Sequence, residues 1–324
     1  MRIEIGSEFW DIPTSEKNQL FPENTKWFIS GRSALKAIIK DNNFKTAALP
    51  DWCCESMVTP FIDAGIEVSF YPALEKEIRT NADALLVLDY FGYTQDIKLC
   101  DFDGVVIRDV THSIFSANYT DADYCFGSLR KWAGFSTAGF AWGFKSPVSY
   151  EEPLYDFVNL KRTAMAEKKA YINEKTGVKN YFDDFSSAED MLEHIGVLPA
   201  DPDDVASALT LDVNFIRNRR RENAQILLDA FRDIAIFPEL KNTECPLFVP
   251  IKVKDRNGLR SHLIQKEIYC PIHWQRAACH TDVSPATEEI YDSELSLICD
   301  QRYDERDMQR IIKEILLFGG DLKC

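Results

Sequence analysis

The sequence predicts an α/β protein whose large mixed sheet is mostly parallel and is flanked by helices. Within the first 145 residues, short apolar runs alternate with segments of helical periodicity. The runs are apolar at successive positions, as in strands that helices cover on both faces. Alternating strands and helices favour a parallel sheet, because each helix carries the chain back to the edge where the next strand begins.

Each predicted element follows from its pattern. The expected strands of the first part are 46–50, 67–71, 84–90, 104–109, 122–127 and 138–144. The expected helices there are 32–40 and 55–64. Residues 150–231 are largely helical and end in a long amphipathic helix with a basic first half.

The remaining pattern predicts a smaller C-terminal α+β domain. Its expected elements are a strand at 245–253, a helix at 258–266, a strand at 295–299 and a helix at 304–317. The boundary is expected near 215–240, where the long helix bridges two domains, 1–225 and 226–324.

Charge and cysteine content exclude several classes of function. The net charge is −15, with 52 acidic against 37 basic residues, so the surface repels a nucleic-acid backbone. No apolar stretch is as long as a membrane span. Nine cysteines, an odd number, with no Cys-x-x-Cys pair and no secretory signal pattern, favour neither disulfides nor a metal site. We expect a cytoplasmic protein that binds a small molecule.

A first candidate segment is Ser-Gly-Arg-Ser at 30–33, which opens a predicted helix. The N–H groups and the dipole at a helix start suit a phosphate, so Gly31, Arg32 and Ser33 are candidate phosphate-binding residues. The alternative is an ordinary helix cap formed by Ser30 or Ser33.

A second segment places Asp109 at the end of a predicted buried strand and His112 directly after it. A buried carboxylate requires a partner, and a pyridinium N–H is one such partner. His112 could donate a hydrogen bond to a phenolic oxygen or to a substrate. The alternatives are an Asp that caps a turn and a histidine that packs in the core.

A third segment contains Ser128 and Lys131, again after a strand. A lysine near apolar residues and other cations loses its proton more easily and can then attack an aldehyde. The hydroxyl of Ser128 could bind phosphate. The alternative is a solvent-facing Arg–Lys pair.

A fourth segment, 50–55, lies at a strand-to-helix turn. Trp52 or Cys54 could cover one face of a flat ring, although packing in the core explains either residue equally well.

In this order the segments resemble those of the DegT/DnrJ/EryC1/StrS family of aminotransferases, which are fold type I enzymes dependent on pyridoxal 5'-phosphate (PLP). Residues 30–35 resemble the family's phosphate turn, and 108–113 resemble its Asp-Ala-Ala-His/Gln motif. The sequence Ser-Leu-Arg-Lys-Trp resembles a lysine segment of a subset of members. Other stretches similar to that subset extend the resemblance over most of the chain: 217–224, 268–274 and 295–308.

The resemblance implies that Lys131 holds PLP as an imine, with Asp109 against the ring nitrogen and His112 beside the phenolic oxygen. It also implies a homodimer in which a glutamate-like amino donor serves a keto sugar or sugar-nucleotide acceptor. His273 lies in a segment that approaches the active site in the family, so it is a candidate substrate contact, although lone histidines often pack or cap.

Two other functions remain compatible with the sequence. A PLP-dependent lyase or dehydratase would use the same lysine chemistry. A catalytically silent protein of the same fold would bind a ligand or partner as a regulatory module. The arginines at 217 and 219–221 could bind an anion, or could pair with the acidic surface.

Overall fold

The structure is a computed structural model that describes residues 4–116, 121–174, 179–319 and 322 of the 324-residue chain. The strands in chain order are β1 (Ile5–Gly6), β2 (Lys26–Phe28), β3 (Thr46–Pro50), β4 (Glu67–Tyr71), β5 (Glu77–Ile78), β6 (Ala84–Leu88), β7 (Lys98–Leu99), β8 (Val105–Asp109), β9 (Tyr124–Ser128), β10 (Gly139–Trp142), β11 (Phe248–Lys252), β12 (Ile268–Tyr269) and β13 (Glu294–Ile298).

The α-helices in chain order are α1 (Gly31–Lys40), α2 (Glu55–Asp63), α3 (Tyr155–Glu174), α4 (Tyr181–Asp190), α5 (Pro202–Leu209), α6 (Val213–Phe231), α7 (Arg256–Gln265), α8 (Pro285–Ser293) and α9 (Glu305–Phe318). Short 3₁₀ helices form at Leu129–Lys131 and Arg232–Ile234. In the described ranges, no helix combines the length and the apolar character that crossing a membrane requires.

Backbone contacts divide the chain into two compact units. The first comprises Met1–Ser7, Phe44–Ala122 and Asn214–Cys324, and the second comprises Glu8–Asn43 and Asp123–Val213. The division predicted from the sequence, at 225/226, is a different partition and stays a prediction.

In the first unit, β4, β3, β6 and β8 are adjacent parallel strands. Their register pairs Pro50 with Tyr71 and Leu88 with Asp109, so neighbouring strands end level with each other. The loops that follow β3, β6 and β8 therefore begin at one edge of the sheet. Ligands of parallel α/β sheets bind at this edge, outside the carboxyl ends of the strands.

An apolar cluster of the first unit packs around the antiparallel pair β11 and β13. It takes buried side chains from α6, α7 and α9, among them Leu227, Leu263 and Ile311. All five residues of β13 are buried, including its polar members Glu294 and Ser296. Two polar side chains are therefore fixed inside a well-packed strand.

The second unit contains the antiparallel strands β2, β10 and β9. The backbone of Ser30 runs so close to Gly139 that a Cβ there would lie 2.3 Å from Ser30 atoms. A glycine at this position lets β10 approach the turn that starts α1.

The structure confirms the α/β class with a large mixed sheet flanked by helices. The strand expected at 84–90 ends at Leu88, and the chain turns soon afterwards, where Phe91 and Gly92 have φ values of 53° and 85°. Helix α8 was not expected. Residues 175–178 of the predicted helical stretch lie outside the described residues.

Asp204 offers a test of how the second unit is held together. Its Oδ2 accepts hydrogen bonds from the Ser136 hydroxyl at 2.6 Å and from the Thr137 N–H and hydroxyl at 2.7 and 2.6 Å. Asp204→Ala leaves these buried donors unpaired, so we expect a loss of about 3 kcal/mol in unfolding free energy. The neighbouring Asp203, whose side chain is 89% exposed, is the matched control, and its alanine variant is expected to lose less than about 0.5 kcal/mol. Equal effects in urea unfolding would contradict this account.

Candidate active site

Asp109, the last residue of β8, is a buried carboxylate. Burial raises its pKa to about 6, although hydrogen bonds from Thr111 act against that shift. The N–H of Thr111 donates to Oδ1 at 2.7 Å. In the part of the chain that the structure describes, no cationic side chain forms an ion pair with Asp109. The nearby Asp89, by contrast, is paired with Arg108 at 2.7 Å.

Aromatic rings cluster around the turn that follows β8. The ring centroid of His112 lies 5.1 Å from that of Phe91 and 5.7 Å from that of Trp274. The ring of His273 lies 5.8 Å from His112, and Trp52 packs on Phe91 at 5.6 Å. The structure thus brings the rings of Trp52, His112 and His273 into one aromatic cluster.

The backbone of Phe91 orients the His112 ring. Phe91 has a φ of 53°, a left-handed conformation that bulky residues rarely adopt. Its N–H lies 3.4 Å from Nδ1 of His112 and donates to it. Because Nδ1 must then carry a lone pair, neutral His112 is protonated at Nε2. His112 is therefore set up as a donor through Nε2.

Trp52 packs in the core in this structure. Its side chain has no exposed surface, and its ring stacks on Tyr90 at 4.6 Å with an interplanar angle of 13°. Its Nε1–H donates to the carbonyl of His273 at 2.6 Å. Of the two roles that the sequence left open, packing is the one observed here. Cys54 is partly exposed, and its Sγ lies 2.9 Å from the hydroxyl of Ser56.

His273 is buried and is held by hydrogen bonds from both its backbone and its ring. Its N–H donates to Oε2 of Glu294 at 2.7 Å, and its Nδ1 lies 2.8 Å from the hydroxyl of Ser296. Burial raises the pKa of Glu294 to about 8, despite hydrogen bonds from Ser296 and His273. His273, the predicted substrate contact, is therefore hydrogen-bonded to Glu294, an acid that favours its neutral form.

The turn at the start of α1 is a capped helix N-terminus. The Ser30 hydroxyl accepts from the N–H of Ser33 at 3.2 Å, as the capping alternative expected. The Ser33 hydroxyl accepts from the N–H of Leu198 at 2.9 Å, and the Arg32 guanidinium donates to the carbonyl of Leu192 at 2.8 Å. The side chains of Arg32 and Ser33 thus have structural partners, which leaves the backbone and the helix dipole for an anion.

Ser128 lies against this turn within the second unit. A Cβ built on Gly31 would be 3.6 Å from the Ser128 Cβ, which is ordinary contact. Two of the predicted phosphate-binding segments are therefore neighbours. The Ser128 hydroxyl also caps the 3₁₀ helix Leu129–Lys131 by accepting from the N–H of Arg130 at 3.4 Å.

Lys131 ends that 3₁₀ helix, and its side chain is exposed. The adjacent Arg130 forms an ion pair with Glu189, which also pairs with buried Lys161 at 2.8 Å. Burial alone would raise the pKa of Glu189, but Arg130, Lys161 and Lys131 together lower it to about 2. Lys131 thus lies near a network in which Glu189 pairs with two other cations, Arg130 and Lys161.

The arginine run of α6 is structural. Arg217 and Arg221 donate to backbone carbonyls, those of Phe115 and Lys241 among them. Arg220 is buried and donates to the side chain of Gln301 at 2.7 Å and to the carbonyl of Leu247 at 2.9 Å. Arg219 pairs with the carboxylate of Glu222 at 3.5 Å, one turn along the same helix. The pairing with surface acids that the sequence analysis offered as one alternative is seen at Arg219, whereas the other three arginines bind mainly backbone carbonyls and an amide.

The sequence analysis missed four residues that surround the predicted ones: Phe91, Trp274, Glu294 and Ser296. Trp274 directly follows His273, so its place beside the site could have been inferred from that neighbour. Glu294 opens a strand that is apolar except for Ser296, and an acid in such a position signals a buried polar partner.

Comparison with known proteins supports the fold. No family model matches the sequence, and no curated protein matches it. Among solved structures, the Helicobacter pylori aminotransferase PseC, involved in the biosynthesis of pseudoaminic acid, aligns with a TM-score of 0.64 at 16% identity, covering 96% of this chain and 99% of that chain. A DegT DnrJ EryC1 StrS aminotransferase from Brucella abortus aligns with a TM-score of 0.62 at 14% identity, covering 92% and 86%. Spr1654 from Streptococcus pneumoniae, in its PLP form, aligns with a TM-score of 0.61 at 12% identity, covering 95% and 92%.

These similarities extend over nearly the whole of each chain, whereas the identities are too low to transfer residue roles. The fold that the sequence resemblance implied is confirmed. This chain has the fold of the DegT/DnrJ/EryC1/StrS aminotransferases.

Proposed function

We propose that this protein is a PLP-dependent aminotransferase that moves an amino group from an amino acid to a keto sugar or sugar nucleotide. The observation that supports this most is the carboxylate of Asp109, buried at the carboxyl end of a parallel strand. Its raised pKa means that the carboxylate holds its charge at a free-energy cost when no cation is paired with it. A cationic N–H ligand would remove that cost.

The residues present fit PLP. The cofactor's pyridine nitrogen becomes such a cationic donor when it is protonated, and Asp109 would accept its hydrogen bond and keep the proton in place. His112, with its proton on Nε2, would donate to the cofactor's phenolic oxygen. When bound, PLP supplies an electrophilic aldehyde and a ring that withdraws electrons from the substrate's Cα.

We assign to Lys131 the amine that binds the aldehyde. Lys131 ends the 3₁₀ helix that follows β9, and its side chain is exposed, so its amine is accessible to an aldehyde. A lysine amine in its neutral form is a nucleophile and a base. Once the amino donor has replaced it, the Nζ of Lys131 would take the proton from the donor's Cα.

For the cofactor's phosphate we propose the start of α1 at Gly31, Arg32 and Ser33, with Ser128. Because the Arg32 and Ser33 side chains have protein partners, the backbone N–H groups and the Ser128 hydroxyl would make the contacts. Trp52 would support the aromatic cluster from behind, with Cys54 beside it.

We propose a glutamate-like donor and a keto sugar acceptor, with His273 as a substrate contact through its ring. A lyase or dehydratase would use the same residues up to loss of the Cα proton. It would differ in leaving no stoichiometric pyridoxamine phosphate after a half-reaction with the donor. We also propose a cytoplasmic location, which agrees with the free thiols of the cysteines in the described ranges.

Lys131 gives the most direct test. After incubation with PLP and reduction with borohydride, peptide mass spectrometry is expected to find a pyridoxyl adduct on Lys131. Lys131→Arg should lose the adduct. Lys145→Arg, a change of another exposed lysine in the same unit, should keep it. No adduct, or adducts spread evenly over surface lysines, would favour the catalytically silent alternative.

Asp109→Asn tests the cofactor's nitrogen partner. The asparagine variant cannot balance a pyridinium charge, so we expect PLP affinity to fall roughly 10- to 100-fold and the half-reaction with glutamate to fall further. Absorbance titration and stopped-flow spectra measure both. Asp101→Asn, whose side chain is 99% exposed, should match the wild type.

The stability of the cofactor-free protein provides a second readout for Asp109. Its folded-state pKa of about 6 exceeds the ordinary value of 3.8, so the unfolded chain releases this proton at lower pH. Stability should therefore fall as the pH rises from about 4 to about 6, by up to about 3 kcal/mol, and stay reduced above that. Asp109→Asn should remove this contribution. An unchanged pH dependence in the variant would show that Asp109 is not desolvated.

The family resemblance also supports a homodimer. Light scattering after size-exclusion chromatography should give twice the mass of one chain, because family members place the cofactor near a subunit interface. A monomer that retains full PLP binding would contradict this proposal.

A further inference from the structure

A chain of hydrogen bonds connects Glu294 to the His273 ring through Ser296. The Ser296 hydroxyl lies 2.5 Å from Oε1 of Glu294 and 2.8 Å from Nδ1 of His273. Both distances are short for their atom types, as in strong hydrogen bonds. All three side chains are buried, and the Glu294 side chain is almost fully enclosed.

The backbone holds each member of this chain in place. Glu294 and Ser296 are in strand β13, which pairs with β11 through Lys252 and Pro250. The N–H of His273 donates to Oε2 of Glu294, and its carbonyl accepts from Trp52. The Ser296 hydroxyl therefore cannot leave one partner for a distant one. Only the positions of the protons within the hydrogen bonds among Glu294, Ser296 and His273 can change.

The surroundings of Glu294 favour a neutral acid near neutral pH. Desolvation raises the pKa of the carboxyl to about 8, and Arg256 of α7 opposes that shift. Among the described residues, Cys270 and His112 also face these hydrogen-bonded side chains. The pKa of Cys270 rises to about 12 mainly through burial, and the His112 ring contacts that of His273. Lys252, opposite Glu294 in the ladder, pairs with Glu289 at 2.9 Å.

Two arrangements of protons fit the observed distances. When Glu294 is neutral, its O–H donates to Ser296 Oγ, the serine hydrogen points at Nδ1, and the imidazole proton is on Nε2. Loss of one proton from Nε2 to solvent moves the serine hydrogen to Nδ1 and the acid's hydrogen to Oγ. Glu294 is then a carboxylate, and Nε2 carries a lone pair. Only one proton leaves, and no heavy atom moves.

We propose that Glu294, acting through Ser296, sets which ring nitrogen of His273 carries the proton, and thereby sets whether Nε2 donates or accepts a hydrogen bond at the candidate active site. Glu294 and Ser296 are positioning residues. Only His273 touches the substrate. The consequence for catalysis rests on the proposed function, whereas the change of tautomer does not.

Nitrogen-15 NMR of protein with labelled histidine tests the tautomer directly. The signals of His273 are assigned with His273→Asn. In the wild type we expect Nε2–H at neutral pH and Nδ1–H above the ionisation of Glu294. In Glu294→Gln the amide N–H can only donate to Ser296 while its oxygen accepts from the His273 N–H, so Nε2–H should persist at all pH. Glu239→Gln, at an exposed position of the same unit, should behave as the wild type.

Ser296→Ala is the second variant, because it breaks the chain without altering the acid. Its His273 tautomer should no longer follow the ionisation of Glu294. A wild-type tautomer that stays constant over this pH range would overturn the proposal. The proposal would also be overturned if the His273 tautomer changed with pH in Glu294→Gln and in Ser296→Ala as it does in the wild type.

Activity separates this inference from the proposed function. With an active transaminase, kcat/KM for the keto acceptor should change around the same ionisation in the wild type but not in Glu294→Gln, with the donor half-reaction unaffected. If the tautomer changes as expected but no transamination occurs with any acceptor, the proposed function fails and the relay remains. If transamination occurs and the NMR change is absent, the relay fails alone.

Discussion

The desolvated carboxylate of Asp109 is the constraint on which the account of this protein depends. A parallel register ends β6 and β8 level with each other, and the aromatic residues that follow them exclude water from the strand end. An isolated charge in such a place is unfavourable, and its raised pKa expresses that cost. The buried carboxylate lowers the free energy of unfolding unless a ligand pairs with it. In the proposed function, a cationic ring nitrogen would offset this cost.

Two buried acids of the first unit illustrate how surroundings decide the role of one functional group. Within the described residues, the carboxylate of Asp109 accepts hydrogen bonds from Thr111 and has no cationic partner, so its charged form is left poorly compensated. Glu294 has two hydrogen-bonding partners from the protein itself and favours the neutral form. The first acid suits the stabilisation of a cation, and the second suits the relay of a proton. Their separate environments allow both near one aromatic cluster.

Much of the fold could be predicted because it depends on local pattern. Buried strands are continuous apolar runs, and the residues that end them stand out as polar positions, which is how Asp109 was found. Trp52 illustrates the limit: its place at a strand end was visible, but its stack on Tyr90 depends on the pairing of distant strands. The partners of Arg220 and His273 likewise come from segments far along the chain, so no local spacing indicates them.

The most direct test of the central claim is nitrogen-15 NMR of the protein loaded with PLP labelled at its pyridine nitrogen. Bound against Asp109, that nitrogen should give the shift of a protonated pyridinium even at mildly alkaline pH. A bound cofactor whose ring nitrogen is unprotonated under these conditions would contradict the account, because the buried carboxylate would then have no cation to stabilise.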